Sequence, residues 1–208
     1  MNRKSASLSL ALVAFALTTG EAFAHHVMGG RTPANFGEGL LSGLAHPVIG
    51  LDHFAAVVAV GCLAAAHRAA EALAIGFVLA MTAGVAIHVH GTTVPGAEIL
   101  VALTVIALGA MMLRTRWMPA SAALAVFASV GLVHDYALGE SIYGAEATPL
   151  TAYLLGLAVI QSAVALAAMS VARLLTQRSA DLSPLRLLGA GIAGIGLAVF
   201  MQQAIPAA

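Results

Sequence analysis

Cysteine is nearly missing from this chain: Cys62 is the only one in 208 residues. That excludes a disulfide framework and any thiolate-rich metal site. Charge is scarce as well, with Asp, Glu, Lys and Arg at 9% against ~25% in soluble globular domains. A soluble fold of this size cannot cover its surface so thinly, which excludes a cytosolic globular enzyme. No basic patch exists, so nucleic acid is excluded as a partner. Apolar types reach 61%, against ~45–50% in ordinary domains, which excludes a disordered tail. What remains is an all-α polytopic membrane helix bundle.

Residues 1–24 read as a signal peptide. Arg3 and Lys4 form a basic n-region, Leu8 to Leu17 an apolar h-region, and Ala22-Phe23-Ala24 a small-x-small cleavage site. An uncleaved first membrane helix is the alternative. Cleavage after Ala24 leaves residues 25–208 as a single transmembrane domain starting His25-His26, which is either a weak metal grip or a plain polar terminus.

Apolar runs of ~20 residues predict six membrane helices. They are Pro47–Ala66, Ala70–His90, Pro95–Leu113, Met118–Leu138, Thr151–Leu175 and Leu185–Ala204. Pro47 suits a first helical position, and Phe36–His46 either extends that helix or forms a separate short one. Arg68, Arg114, Arg116, Arg173, Arg178 and Arg186 fall at alternate connections. The positive-inside rule makes those connections cytoplasmic and both mature termini periplasmic in a bacterial inner membrane. Gly189, Ala190, Ala193 and Gly194 form small-xxx-small pairs suited to close helix packing. Tyr136, Tyr143, Tyr153 and Trp117 fall at helix ends, as interface aromatics do.

Ionisable residues inside apolar spans are costly and mark function by default. Here they are His46, Asp52, His53, His88, His90, Glu98, His134, Asp135 and Glu140, with no Lys or Arg at their own depth in the spans to balance the acids. Either the acids are protonated, or a mobile cation neutralises them. Counted from the Arg-bearing ends at ~1.5 Å per residue, His53 lies at ~20 Å, His88 at ~27 Å, Glu98 at ~24 Å and His134 at ~25 Å. Four helices thus place a ligand-type residue in one layer. Imidazole and carboxylate without thiolate suit Ni, Co, Zn, Cu(II) or Mn. His46 and His53 share a helix face only if the helix is continuous. Asp52 either binds the ion or orients a histidine that does. His88 and His90 chelate together only if the helix frays before Gly91. Glu98 also suits the positive end of its helix.

Gly43-Leu44-Ala45-His46-Pro47-Val48-Ile49-Gly50-Leu51-Asp52-His53, continuing through Val57-Val58-Ala59-Val60-Gly61, resembles the signature of the HupE/UreJ family. These are bacterial membrane proteins associated with nickel and cobalt uptake. Pro95-Gly96-Ala97-Glu98 looks like that family's Pro-Gly-x-Glu, and His134 to Glu140 resembles its His-Gly-x-Ala-His-Gly-x-Glu segment. The resemblance implies ligand roles for His46, Asp52, His53, Glu98, His134 and Glu140. His88 and His90 lie outside it and rest on depth alone. The chain departs from the pattern at Asp135, where Gly is usual, and at Leu138, where a second His is usual. Its fifth span has no His, where the family often carries one, and Gln161 is the strong polar group there.

The expectation is therefore a permease carrying a divalent metal ion, Ni²⁺ or Co²⁺, from periplasm to cytoplasm. The ion is cargo, so no permanently bound cofactor and no enzyme activity are expected. The partners are the ion and the lipid bilayer; self-association into a homo-oligomer stays open. Rival readings are a membrane-embedded metalloenzyme, a metal-binding accessory or sensor, and a proton pathway.

Overall fold

The computed structural model describes residues 31–92, 94–114, 118–178 and 182–205. The expected signal peptide, His25, His26, Arg116 and Trp117 lie outside them. Among the described residues there are only helices and their connections. The α-helices are α1 (Phe36–Ile49), α2 (Leu51–Ala64), α3 (Ala70–Val89), α4 (Ala97–Met112), α5 (Ala120–His134), α6 (Ala147–Arg178) and α7 (Ser183–Ala204). A 3₁₀ turn, Ala137–Ile142, follows α5.

All six expected spans are helical, but the first differs in kind. Its N-terminal flank folds as a helix of its own, started by Asn35, whose Oδ1 accepts from the Glu38 N–H at 2.9 Å. Pro47 sits inside the last turn of α1 rather than at a first position. The break comes at Gly50, in an extended conformation, and α2 leaves at 78° to α1. A Cβ on Gly50 would stand 3.2 Å from the His53 ring, so glycine leaves room for that ring to fold back against the joint.

α3, α6, α7 and the run Ala120–Ile142 are each long and apolar enough to cross a membrane, and the bent pair α1–α2 makes a fifth span if counted as one. At 16 residues, α4 reaches ~24 Å, short of a ~30 Å hydrocarbon core. Outward faces are apolar, with Leu187 72% and Leu79 62% exposed, as lipid contact requires. The chain is a multi-pass membrane protein.

Helices close through small residues. A Cβ on Gly43 of α1 would overlap the Tyr153 carbonyl of α6, and one on Gly156 would stand 2.5 Å from the Leu40 carbonyl. α4 and α7 meet through Gly109, Gly189 and Gly196. Of the expected stripe on the last helix, Gly189 and Ala193 take part, whereas Gly194 faces open space because it lies off that face. Arg173 of α6 pairs with Glu71 of α3 at 2.7 Å. Two apolar clusters fill the interior, a larger one around Phe77, Met81, Leu108 and Phe127 and a smaller one around Val85, Leu138, Ile142, Tyr153 and Leu157. Along α6, Gln161 falls between them, flanked by Leu157 of the smaller and Ala165 of the larger.

Candidate metal-binding site

Burial singles out the site. The buried polar or charged residues are Ser42, His46, Asp52, His53, His134, Asp135 and Gln161. All but Ser42 join one cluster between the two apolar clusters. α1 supplies His46, the start of α2 supplies Asp52 and His53, the end of α5 supplies His134 with Asp135 just after it, and α6 supplies Tyr153 and Gln161.

The break at Gly50 brings the first two histidines together. In a continuous helix, seven residues of separation span ~10.5 Å along the axis. Across the joint the His46 and His53 ring centroids are 6.5 Å apart. The His53 and His134 centroids are 4.5 Å apart. Two imidazoles sharing one ion, at ~2.0–2.1 Å per bond, hold their centroids roughly 5 Å apart. The observed separations bracket that value. Among the described residues, no group of three or more His, Cys, Asp or Glu side chains is arranged so that it could hold a metal ion. The imidazoles meet in pairs, His46 with His53 and His53 with His134.

Hydrogen bonds fix which ring nitrogen points inward. Thr104 Oγ1 donates to the Val101 carbonyl at 2.6 Å, so toward His134 Nδ1, at 3.0 Å, it can only accept. The His134 proton thus sits on Nδ1, and Nε2, buried without a hydrogen-bond partner, carries the lone pair. The same logic runs through a longer chain at His46. Ser141 Oγ donates to the Leu138 carbonyl at 2.8 Å and so accepts from the Tyr153 hydroxyl at 3.2 Å. Tyr153 then accepts from His46 Nδ1 at 3.3 Å, leaving the lone pair on Nε2. Both nitrogens of His53 are buried without hydrogen-bond partners. Asp52 lies in the first turn of α2, where its Oδ1 accepts from the His53 backbone N–H at 2.9 Å. Its charge thus complements the positive helix end. The C-terminal end of α1 turns its negative pole toward the same joint, a favourable placement for a cation.

The remaining expected residues stand apart. His88 packs against Tyr136 and Tyr143, at centroid distances of 4.6 and 6.1 Å. α3 does end between His88 and His90, but the two rings diverge. His90 is exposed and donates from Nδ1 to the Ala86 carbonyl of its own helix at 2.7 Å. Glu98 is half-buried in the first turn of α4, and Glu140 is exposed on the 3₁₀ turn. Of the four residues at a common depth, His53 and His134 meet, whereas His88 and Glu98 do not join them, because depth fixes height and not direction round the bundle.

A family model described as HupE / UreJ protein matches residues 13–199. The chain belongs to the HupE/UreJ family. Protein HupE of Rhizobium leguminosarum bv. viciae is 35% identical over 104 residues, 49% of this chain and 54% of that protein. The match thus spans about half the length of that curated relative. No solved structure matches the chain.

Seen within the HupE/UreJ pattern, the departures meet one another in space. Gln161 Nε2 donates to Asp135 Oδ2 at 2.5 Å. Sequence reasoning counted Asp135 among the ionisable residues of the spans without giving it a ligand role, noted Gln161 only as a departure, and passed over Thr104, Ser141 and Tyr153 as parts of the site. Tyr153 read as an interface aromatic, yet it is fully buried and bonded to His46. The available signal was Gln161, a strong polar group in the middle of an apolar stretch of its helix.

Proposed function

We propose that this protein is a permease that carries a divalent transition metal ion, Ni²⁺ or Co²⁺, from periplasm to cytoplasm across a bacterial inner membrane. The observation that carries the reading is the buried cluster of three imidazoles and two carboxylates in an apolar bundle. The described spans bring no Lys or Arg to it. Buried carboxylates in an apolar bundle are costly. A divalent ion held by imidazole nitrogens removes that cost, and the family resemblance favours nickel and cobalt over the other borderline metals.

In this reading His46, His53 and His134 bind the ion and Asp52 offsets its charge. Glu98, Glu140 and the histidines of the mature terminus draw cations toward the periplasmic mouth. The ion is cargo, and no enzyme activity is assigned. The Arg-bearing connections face the cytoplasm, and both mature termini face the periplasm.

Accumulation of Ni²⁺ and Co²⁺ in cells expressing wild type or His53→Ala tests the reading. Accumulation in His53→Ala should fall to that of cells lacking the protein, at equal protein level in the membrane. Equal accumulation in the two overturns it.

A further inference from the structure

Among the described residues, α7 packs along α4 and hardly touches α6, the helix before it in the chain. Its glycine face, with Gly189 and Gly196, closes on Gly109 and Ile106 of α4. The two consecutive helices therefore part, and α2 lies behind the gap. The result is an apolar cleft of about 330 Å³, within the ~300–1,000 Å³ of ordinary ligand pockets. Val58 and Cys62 of α2, Val164, Val171 and Leu175 of α6, and Leu185 of α7 line it.

From Val164 to Leu175 the cleft runs ~16 Å along α6, toward the end of the bundle that carries the arginines. Val164, Val171 and Leu175 share one face of α6, and Arg178 continues that row one turn further on. Arg178 is exposed and makes no ion pair among the described residues, whereas Arg173 is engaged by Glu71. The cleft is thus apolar along its length and positive at one end. A second copy of the chain, inserted in the same direction, has little to offer Arg178. The one described acid at that end is Glu71, and it is already paired.

We propose that this cleft binds an anionic phospholipid, with an acyl chain between α6 and α7 and the headgroup phosphate drawn to Arg178. The site does not depend on what the buried histidine cluster binds. Lipids of any charge coat the outer faces of a bundle. Here a recess holds the chain, and a guanidinium at its end suits a phosphate through paired N–H donors. A zwitterionic headgroup carries its own cation and gains less from Arg178.

The test is native mass spectrometry of the purified full-length protein in detergent, titrated with phosphatidylglycerol or with phosphatidylcholine. Wild type should hold one phosphatidylglycerol and little phosphatidylcholine. Arg178→Gln should weaken phosphatidylglycerol binding about fivefold, the worth of one arginine near an anionic headgroup. Arg114→Gln removes the same charge at the same end, beside a separate cavity that shares no residue with the cleft, and should bind as wild type does. Val171, 56% exposed, can grow without entering the core, so Val171→Trp should fill the cleft and lose the lipid. Ala167→Phe fills it from another exposed lining position, should that variant fail to fold. Equal binding of the two lipids by wild type overturns the proposal. So do equal losses in the two arginine variants, which mean general surface charge, and lipid retained with the cleft filled. A dimer that Val171→Trp dissociates also overturns it, because a second copy then occupies the cleft.

Discussion

Two groups of histidines share this molecule and differ in almost everything except residue type. His46, His53 and His134 come from three helices and are at most 1% exposed, with His53 tilted toward His46 and edge-on to His134. His88 and His90 come from one helix end, lie toward the surface and turn to tyrosines or to their own backbone. The first group sits where helices converge and where outside groups dictate ring tautomers. In the second, His90 bonds to its own helix backbone, whereas His88 leans on two tyrosines and leaves Nδ1 buried without a hydrogen-bond partner. A histidine in a membrane helix therefore says little until its neighbours from other helices are known.

The sharpest way to break the contrast is to push apart the helices that create the first group. Gly43→Ala places a methyl group on the Tyr153 carbonyl. Overpacking at such a contact costs about 1–3 kcal/mol. The expected result is a lower unfolding temperature in detergent and loss of Ni²⁺ binding, since His46 moves with α1. Next comes the tautomer chain. Tyr153→Phe removes the acceptor for His46 Nδ1, and Thr104→Val does the same for His134. Each lost bond is worth ~0.5–1.5 kcal/mol. Metal affinity should therefore fall roughly 3–10-fold by calorimetry, with the fold intact. Smallest is the second group: His88→Ala and His90→Ala should keep Ni²⁺ affinity within about twofold of wild type, as substitutions away from a site do. A loss in either as large as in Tyr153→Phe would join the two groups and erase the distinction.

Much of the fold was readable in the linear chain. Runs of apolar residues long enough for a bilayer, together with their Arg-marked connections, mark the helices to within a few residues. The joint at Gly50 was not readable, because Pro47 is the stronger local breaker and drew the expected boundary three residues too early. Asp135 and Gln161 lie 26 positions apart, and only packing of α5 against α6 brings them together. Equal height along different helices suggested that His53, His88, Glu98 and His134 act as one layer. Height follows from counting residues, whereas facing direction depends on which small residues let which helices close. The pairing of His46 with Tyr153 follows from Gly43, whose role depends on a carbonyl more than a hundred residues away.

The kink between Phe36–Ile49 and Leu51–Ala64 makes the grip on an ion a matter of angle. His46 and His53 ride on two rods that meet at one glycine, so a small swing of either rod about that pivot opens or shuts the gap between their rings. Glycine contacts clamp both rods against α6, through Gly39 and Gly43 in the first and Gly61 in the second, and the second also carries His53 against His134. A pull on either clamp is thereby converted into tightening or loosening at the centre, with no bond in the helices themselves having to break.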